Sequence, residues 1–440
     1  MADQADIVIL GAGAAGLMTA IHASERGARV VLLEKNRRPG VKILMSGGTR
    51  CNLTNARGLH HLRCVSGPID PAYDVSEAKG ARSIQAAFGA EGGKFLGPAL
   101  RAFDAERTVA FFESEGVATK VEGNGKVFPL SDRATDVLAA LTRRLERTGT
   151  SLRCLCPALA VEPGEAGFRV YTNDGVLAAR RVVVAVGGQS YPGCGTTGDG
   201  YGIARQFGHT IVEPRPALVP LRVHADWVAG LKGLTVPDVI ASVQAPSGAP
   251  LLARREALLF AHFGLTGPSI LDVSRAVARQ DGGTALDLVL DFAPDWKPEA
   301  LEKALQTTCR EGGRRPVAGL LPVDLPRRLI EALMVAASVP VERTGPELSR
   351  DERRRLLGTL KALHLPLAGT LGFAKAEVTS GGVALPEVDP RTLESRLQPG
   401  LHFVGEVLDI DGLIGGYNFQ AAWSTGWLAG ETAAQSEGEA

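Results

Sequence analysis

Apolar positions fall in short unbroken runs near both ends of the chain and in glycine-broken or alternating runs between them. Residues 6–10 (DIVIL) are almost wholly apolar, which predicts a strand buried on both faces of a parallel sheet. The chain then turns at Gly11, Gly13 and Gly16 into an Ala/Leu/Met/Ile-rich helix that stops near Gly27. A second buried strand, residues 29–33, ends in Glu34. Each glycine has a separate task. Gly11 makes the tight turn, Gly13 lets backbone approach a pyrophosphate, and Gly16 lets helix pack on strand. The helix start, Ala14 and Ala15 included, presents N–H groups and partial positive charge to phosphates. Glu34, eighteen residues past Gly16, is placed to bind a ribose diol. The segment predicts a dinucleotide site.

Further along, residues 131–147 read as a helix capped by Ser131, with Val137, Leu138, Leu141 and Leu145 on one face and Gly149 as its stop. Residues 152–162 and 168–172 read as strands joined by Pro163-Gly164. A buried strand over 181–186 enters Gly187-Gly188. From 195 to 296 the pattern changes to short β-like runs (217–223, 236–243, 285–292), as in a small barrel or sandwich. Residues 298–361 are helical, with Ser349 and Glu352 as a capping box before Leu356, Leu357, Leu360 and Leu363. The chain becomes β again at 373–378. From 401 it reads strand, glycine-rich loop and helix (418–433), followed by a short polar tail after Glu431. That last unit repeats the opening logic, so its economical place is back in the first domain, with the middle as an insertion.

Composition narrows the functional classes. The 440 residues hold 48 Lys+Arg and 48 Asp+Glu, which gives no bulk electrostatic case for nucleic acid or an anionic membrane. Arg350, Arg353, Arg354 and Arg355 make one helix basic, and a solvated face is the simpler reading. Residues 5–23 are nearly uncharged, but three glycines interrupt them and no basic run precedes them. Neither a membrane span nor a signal peptide is predicted, and the expected location is cytoplasmic. The six cysteines form no CxxC and no zinc-ligand spacing, and reduced thiols are expected. Cys154 and Cys156 would share one face of a strand as small buried hydrophobes.

Four further segments look like ligand-facing loops. The first runs from Lys42 through Ser46, Gly47, Gly48, Thr49, Arg50, Cys51 and Asn52 to Asn55, a nest suited to a phosphate or ring carbonyl. The second is Ala185-Val186-Gly187-Gly188-Gln189-Ser190-Tyr191-Pro192, where bare backbone can lie against a ligand. The third, residues 193–198, matches GxGxxG but lacks a strand ending at the right place. It reads as a loop capping a helix from Asp199. The fourth holds Gly405, Glu406, Asp409, Asp411, Gly415, Gly416, Tyr417, Asn418 and Phe419. Its acids suit polyol hydroxyls, and its helix start suits a polar ring edge. Asp409 and Asp411 lack a supporting His or third carboxylate, so no metal is expected. FAD explains all four loops together with the opening turn, whereas NAD leaves the C-terminal constellation unused.

These motifs resemble one family. GAGAAGL at 11–17, SGGTRCNLTN at 46–55, VGGQSYPGCGTTGDGYGIA at 186–204, FAHFGLTGPSILDVS at 260–274, VTSGGV at 378–383 and GEVLDIDGLIGGYNFQ at 405–420 are similar to the BaiN/RdsA-type, or aminoacetone-oxidase, flavoproteins. The resemblance covers nearly the whole chain. This chain departs from the family in having Thr49 where a third glycine is usual and Val41-Lys42 where an Arg-Lys pair is usual.

The resemblance implies an α/β fold: a Rossmann-like FAD-binding domain of the two-dinucleotide-binding type, with an inserted small β-barrel plus helical subdomain. The expected domains are 1–193 with 379–440 for FAD, 194–296 with 364–378 for the barrel, and 297–363 for the helical insert. It implies that Gly11, Gly13, Gly16, Glu34 and Lys35 bind the ADP half, while residues 42–52 and 405–419 surround the ribityl chain and flavin. The reactions the resemblance implies are diverse, including reduction of carbon–carbon double bonds in steroid-like acids and oxidation of a small aminoketone. The expected function is a FAD-dependent oxidoreductase, reduced by NAD(P)H, passing hydride through flavin N5 to a small or steroid-like substrate. Arg50, Tyr191 and Tyr417 are the candidates for orienting it. An oxygen-using amine oxidase and a non-catalytic FAD redox sensor or scaffold are the alternatives.

Overall fold

The opening strand, turn and helix form because an apolar run long enough for one strand meets glycines that permit the turn. In the computed structural model, which describes residues 3–165, 167–280 and 285–435, these elements are Asp3–Leu10 and Ala14–Glu25. Strand Asp3–Leu10 pairs in parallel with Val30–Leu33 on one side and Gly175–Val184 on the other, with Ile9 opposite both Leu32 and Val183. Ser151–Arg153 extends the first edge in parallel. Beyond Gly175–Val184 the neighbour changes along its length. Its first half pairs antiparallel with Gly167–Thr172, and its last three residues pair in parallel with Leu401–Phe403. Ala158–Gly164 completes a seven-stranded sheet.

Helices Ala14–Glu25 and Tyr417–Ala434 pack against each other through small residues. A Cβ at Gly426 would stand 2.4 Å from the Ala15 carbonyl oxygen, and one at Gly430 would stand 2.8 Å from that of Thr19. Only glycine permits this approach. Ile7, Ile9, Leu17, Met18, Ile21, Phe403 and Trp423 are fully buried there, each worth about 1.5–3 kcal/mol.

The chain divides into two compact units. One comprises Met1–Arg215 with Glu377–Ala440, the other Pro216–Ala376. The boundary at 215/216 lies later than the 193/194 read from sequence. The reason is that helix Asp199–Gln206 and most of strand Ile211–Ala217, which forms a separate two-stranded sheet with Val378–Val383, belong to the first unit. The second unit is a closed antiparallel barrel of six strands, in the order Leu221–Val223, Gly264–Thr266, Pro250–Ala261, Thr235–Gln244, Asp287–Asp291 and Leu363–Thr370. Helix Pro268–Ala278 packs on four of these strands, chiefly Pro250–Ala261 and Thr235–Gln244. Helices Pro298–Glu311, Arg327–Ala336 and Arg350–Lys361 follow, and the last opens with the capping box of Ser349 and Glu352.

Local expectations failed in four places. The single strand expected over 152–162 is instead two, Ser151–Arg153 and Ala158–Gly164, paired with different partners on either side of a turn. Ser131 does not cap its helix, which runs Ala134–Arg147 behind Arg133 with no side-chain cap. Residues 373–378 are mostly a turn between strands rather than a strand. Cys154 and Cys156 do not share a strand face, because strand Ser151–Arg153 has ended and Leu155 takes φ 55°. The Arg residues near 353 are tied up locally: Arg353 reaches Glu302, Arg354 reaches Asp351, and Arg355 donates to the Ala337 and Ser338 carbonyls. Residues 436–440 of the polar tail lie outside the described residues.

Candidate cofactor site

The first loop is shaped by two close approaches. Gly11 takes φ 96°, and a Cβ at Gly16 would stand 1.9 Å from the Gly11 carbonyl oxygen, so helix and turn touch backbone to backbone. Gly13 differs: a Cβ there would meet nothing within 4 Å, and helix Ala14–Glu25 has no side-chain cap. Its first N–H groups thus have no capping side chain. Glu34 is buried and accepts from the Ala12 N–H at 2.9 Å and the Asn36 N–H at 2.8 Å. Each oxygen keeps a lone pair for a further donor. Lys35 is committed to Asp199 at 2.5 Å and Thr197 at 2.7 Å.

A second cluster joins residues far apart in sequence. Lys42 Nζ lies 2.5 Å from Glu406 Oε2 and 2.5 Å from Ser190 Oγ. Ser190 Oγ donates to Glu406 Oε1 at 2.6 Å, and the Thr379 N–H donates to the same oxygen at 2.8 Å. Thr379 Oγ1 in turn accepts from the N–H groups of Gln189 and Ser190 at 2.8 and 3.1 Å. Gly188 is glycine because a Cβ would lie 2.4 Å from that hydroxyl oxygen, and Gly187 takes φ 75°. Ala185 continues the sheet, its N–H donating to the Leu10 carbonyl. Ser190 and Thr379 were not singled out from sequence. Ser190 lies in the second ligand-facing loop and Thr379 in the VTSGGV strand, and only their proximity in the fold marks them. Glu377, beside that strand, has its carboxyl pushed up by desolvation, with Lys126 and Lys42 opposing.

The third cluster surrounds the C-terminal helix start. Gly415 and Gly416 take φ 126° and 93°, and a Cβ at Gly416 would lie 2.4 Å from the Thr54 carbonyl oxygen. Helix Tyr417–Ala434 also lacks a side-chain cap, its N-cap being Gly416, and Asn418 Oδ1 accepts from the Gly412 N–H at 2.8 Å. Asn55 Nδ2 donates to the Gly415 carbonyl at 3.0 Å, and buried Asn52 Oδ1 has no partner. Phe419 stacks on Trp423 with ring centroids 5.4 Å apart. Asp409 accepts from the Gly381 N–H and Asp411 from Ser380 Oγ, each at 3.1 Å. Among the described residues, no group of three His, Cys, Asp or Glu is placed to hold a metal.

Segment 46–51 is conformationally unusual. Gly47, Gly48, Thr49 and Cys51 take φ 55°, 67°, 69° and 61°. Ser46 Oγ donates to the Ile43 carbonyl at 2.7 Å. Burial pushes the Cys51 thiol up to about 12, with Ser46 opposing, so it stays protonated. Arg50 is held at 2.6 Å by Glu122 and 3.3 Å by Asp132, and lies 3.9 Å over the Phe128 ring. Its charge is balanced by its own neighbours. Tyr191 sits at φ 52°, its carbonyl accepting from the Cys194 N–H at 2.8 Å and Thr196 Oγ1 at 3.1 Å; burial raises its phenol pKa. Tyr417 is buried at the helix start.

Two helix starts without side-chain caps, an open Gly13 at the first of them and the orphaned Asn52 amide oxygen fit an anionic dinucleotide with a polar ring edge. Residues 5–67 and 77–432 match the family model described as HI0933-like protein Rossmann domain. The chain belongs to this HI0933-like family. It is a flavoprotein oxidoreductase family with a Rossmann FAD domain. Among its relatives, a ribosomal RNA dihydrouridine synthase from Escherichia coli is 32% identical over 98% of both chains. A 3-dehydro-bile acid delta(4,6)-reductase from Clostridium scindens is 33% identical, over 98% of this chain and 99% of that one. The fold is also similar to that of a 3-ketosteroid-delta4-(5alpha)-dehydrogenase from Rhodococcus jostii, with a TM-score of 0.52, 16% identity, and 99% of this chain and 97% of that one covered. A relative acting on ribosomal RNA removes the support that zero net charge lent to excluding nucleic acid. Among the described residues no helix is long and apolar enough to cross a membrane.

Proposed function

We propose that this family member is a FAD-dependent reductase that draws on NAD(P)H and reduces a carbon–carbon double bond conjugated to a carbonyl. The observation that carries the reading is the pair of full-length relatives. One is named for making dihydrouridine and the other for reducing a bile-acid Δ4,6 system, and both names describe saturation of such a bond. When bound, FAD supplies hydride exchange between a nicotinamide and a substrate carbon. In this reading the residues that would hold the ADP half are Gly11, Gly13, Ala14, Ala15, Gly16, Glu34 and Lys35. Lys42, the 46–52 turn, Ala185, Gly187, Gly188, Gly405, Glu406, Asp409 and residues 415–419 would hold the ribityl chain and ring. The Lys42–Ser190–Glu406–Thr379 network supports this by keeping three of these segments in register, and its charges offer partners to ribityl hydroxyls.

The test is anaerobic mixing of FAD-reconstituted protein with NADH or NADPH, followed by a 3-oxo-Δ4 steroid acid or by unmodified ribosomal RNA. Flavin bleaching and then recovery on adding either acceptor is expected. Whichever acceptor restores the colour names the substrate class. Absence of flavin absorbance after reconstitution would sink the reading. Reduction by amines with prompt reoxidation by oxygen would replace it with an oxidase. Very slow reduction by both nicotinamides would favour a sensor or scaffold.

A further inference from the structure

Two sulfur atoms, brought in by separate ligand-facing segments, meet in the fold. The Cys194 thiol donates to the Met45 thioether, with Sγ and Sδ 3.0 Å apart. Met45 closes the regular part of segment Val41–Thr49, directly before Ser46, Gly47 and Gly48 leave helical geometry. Cys194 ends the short turn Pro192–Cys194, and its carbonyl accepts from Asn36 Nδ2 at 3.0 Å. The contact thus joins the chain just after Glu34, the turn at 192–194 and the entry to the 46–52 turn. Its two partners differ in access. Cys194 is 4% exposed, whereas Met45 is 49% exposed. Met18 and Met334, the other methionines among the described residues, are fully buried.

We propose that Met45 is an oxidation site for hydrogen peroxide, and that its sulfoxide opens a latch to Cys194 and loosens the loops that hold FAD. The chemistry of the two sulfurs selects which one reacts. A cysteine reacts as its thiolate, while a thioether needs no deprotonation. Burial raises the Cys194 thiol, with Lys42 opposing, so the thiol stays protonated and the exposed thioether takes the oxidant. The Met45 sulfur lone pair attacks one peroxide oxygen as the O–O bond breaks. The sulfur is oxidised by two electrons and gains an S–O bond, and the other oxygen leaves as water with both protons. Two sulfurs 3.0 Å apart leave no room for an oxygen atom between them, so the pair must separate or the sulfoxide must turn outward. Either change turns a flexible apolar side chain into a polar one and costs the thiol its acceptor. Met45 is well placed to pass such a shift on. Lys42, three residues earlier, holds Ser190 and Glu406, and the 46–52 turn begins at the next residue. Methionine sulfoxide is reducible, so the latch can close again. It rests on the FAD assignment and not on the choice of substrate or nicotinamide.

In the test, FAD-loaded protein is exposed to hydrogen peroxide and sulfoxides are located by peptide mass spectrometry. FAD affinity is read by fluorescence before and after. Met45 sulfoxide is expected to form about tenfold or more faster than that of Met18 or Met334. FAD affinity should then fall by about threefold to tenfold, and methionine sulfoxide reductases should restore it. Each variant is compared with its own unoxidised form, so any binding defect of the substitution itself drops out. In Met45→Leu, peroxide should leave that affinity unchanged. Cys194→Ala opens the latch beforehand, so oxidising Met45 there should change affinity by less than about twofold. Oxidation of Met45 no faster than of the buried methionines overturns the site. Unchanged affinity at full Met45 oxidation, or an equal loss in wild type and Cys194→Ala, overturns the latch. Failure of unoxidised protein to retain FAD would overturn the cofactor reading instead, and the same comparisons made on melting temperature would still judge the latch.

Discussion

Gly13 and Gly16 stand three positions apart in one motif, and the structure gives them different tasks. A methyl group at Gly16 collides with the Gly11 carbonyl at 1.9 Å, while one at Gly13 meets nothing. Gly16→Ala should therefore destabilise even the cofactor-free protein, by about 3 kcal/mol or more. Gly13→Ala, at an ordinary φ of −81°, should leave apo stability within about 0.5 kcal/mol of wild type. It should weaken FAD binding by about tenfold or more, because its methyl occupies space a pyrophosphate would use. Urea denaturation of apo protein and FAD titration separate the two effects. Equal stability losses in both variants would show that Gly13 is packing too. Arg50 teaches the converse. Its place in a polar, glycine-rich loop suggested a substrate contact, yet Glu122 and Asp132 lie 72 and 82 residues away and hold it. Such partners cannot be read from local spacing.

Among the elements, those whose signals are local were legible. The strand–turn–helix of residues 3–25 and the capping box at Ser349 depend on neighbours within a few positions. Residues 373–378 misled because apolar content without a pairing partner does not make a strand. The run of left-handed residues at 47–49 was also hidden. Thr49 is β-branched at φ 69°, with its hydroxyl donating to the Gly48 carbonyl at 2.6 Å. L-residues pay about 1–2 kcal/mol for this conformation, and glycine returns part of the gain as unfolded-state entropy. Thr49→Gly is thus expected to raise the urea midpoint, by up to about 1 kcal/mol in stability. A lower midpoint would mean that the Thr49 side chain supports the turn.

For the folded molecule as a whole, two buried histidines set an acid limit. His22, in the opening helix, stacks on Trp427 of the last helix at 3.6 Å, and its Nε2 accepts from Arg26. Burial, with Arg26 and Arg144 adding to it, lowers its pKa to about 4; Glu25, 4.0 Å away, does not offset this. His402, in strand Leu401–Phe403, is likewise pushed down by burial against the opposing pull of Glu394. Both are folded as neutral rings. Above the ordinary value near 6.5 their contribution to stability is complete. As pH falls toward 4 the unfolded chain takes up protons that the folded one refuses, and stability is lost. The loss should reach about 2–3 kcal/mol for His22 alone. Denaturant unfolding between pH 7.5 and pH 4.5 checks this, where His22→Gln should flatten the slope. An unchanged slope would show that His22 titrates normally.

Local pattern was enough to identify a dinucleotide turn, two glycine-rich helix starts and the alternation of the middle segment, because turns, caps and strands answer to neighbours in sequence. Tertiary structure decided what those pieces meet. Lys42 reaches Glu406 across 364 positions, and Asn55 reaches Gly415 across 360. Pairings of this kind depend on the return of the chain at Glu377 to a sheet it left at Arg215. Nothing in the periodicity of either end records the other, since the free energy that joins them comes from burial and hydrogen bonds made only after the fold closes.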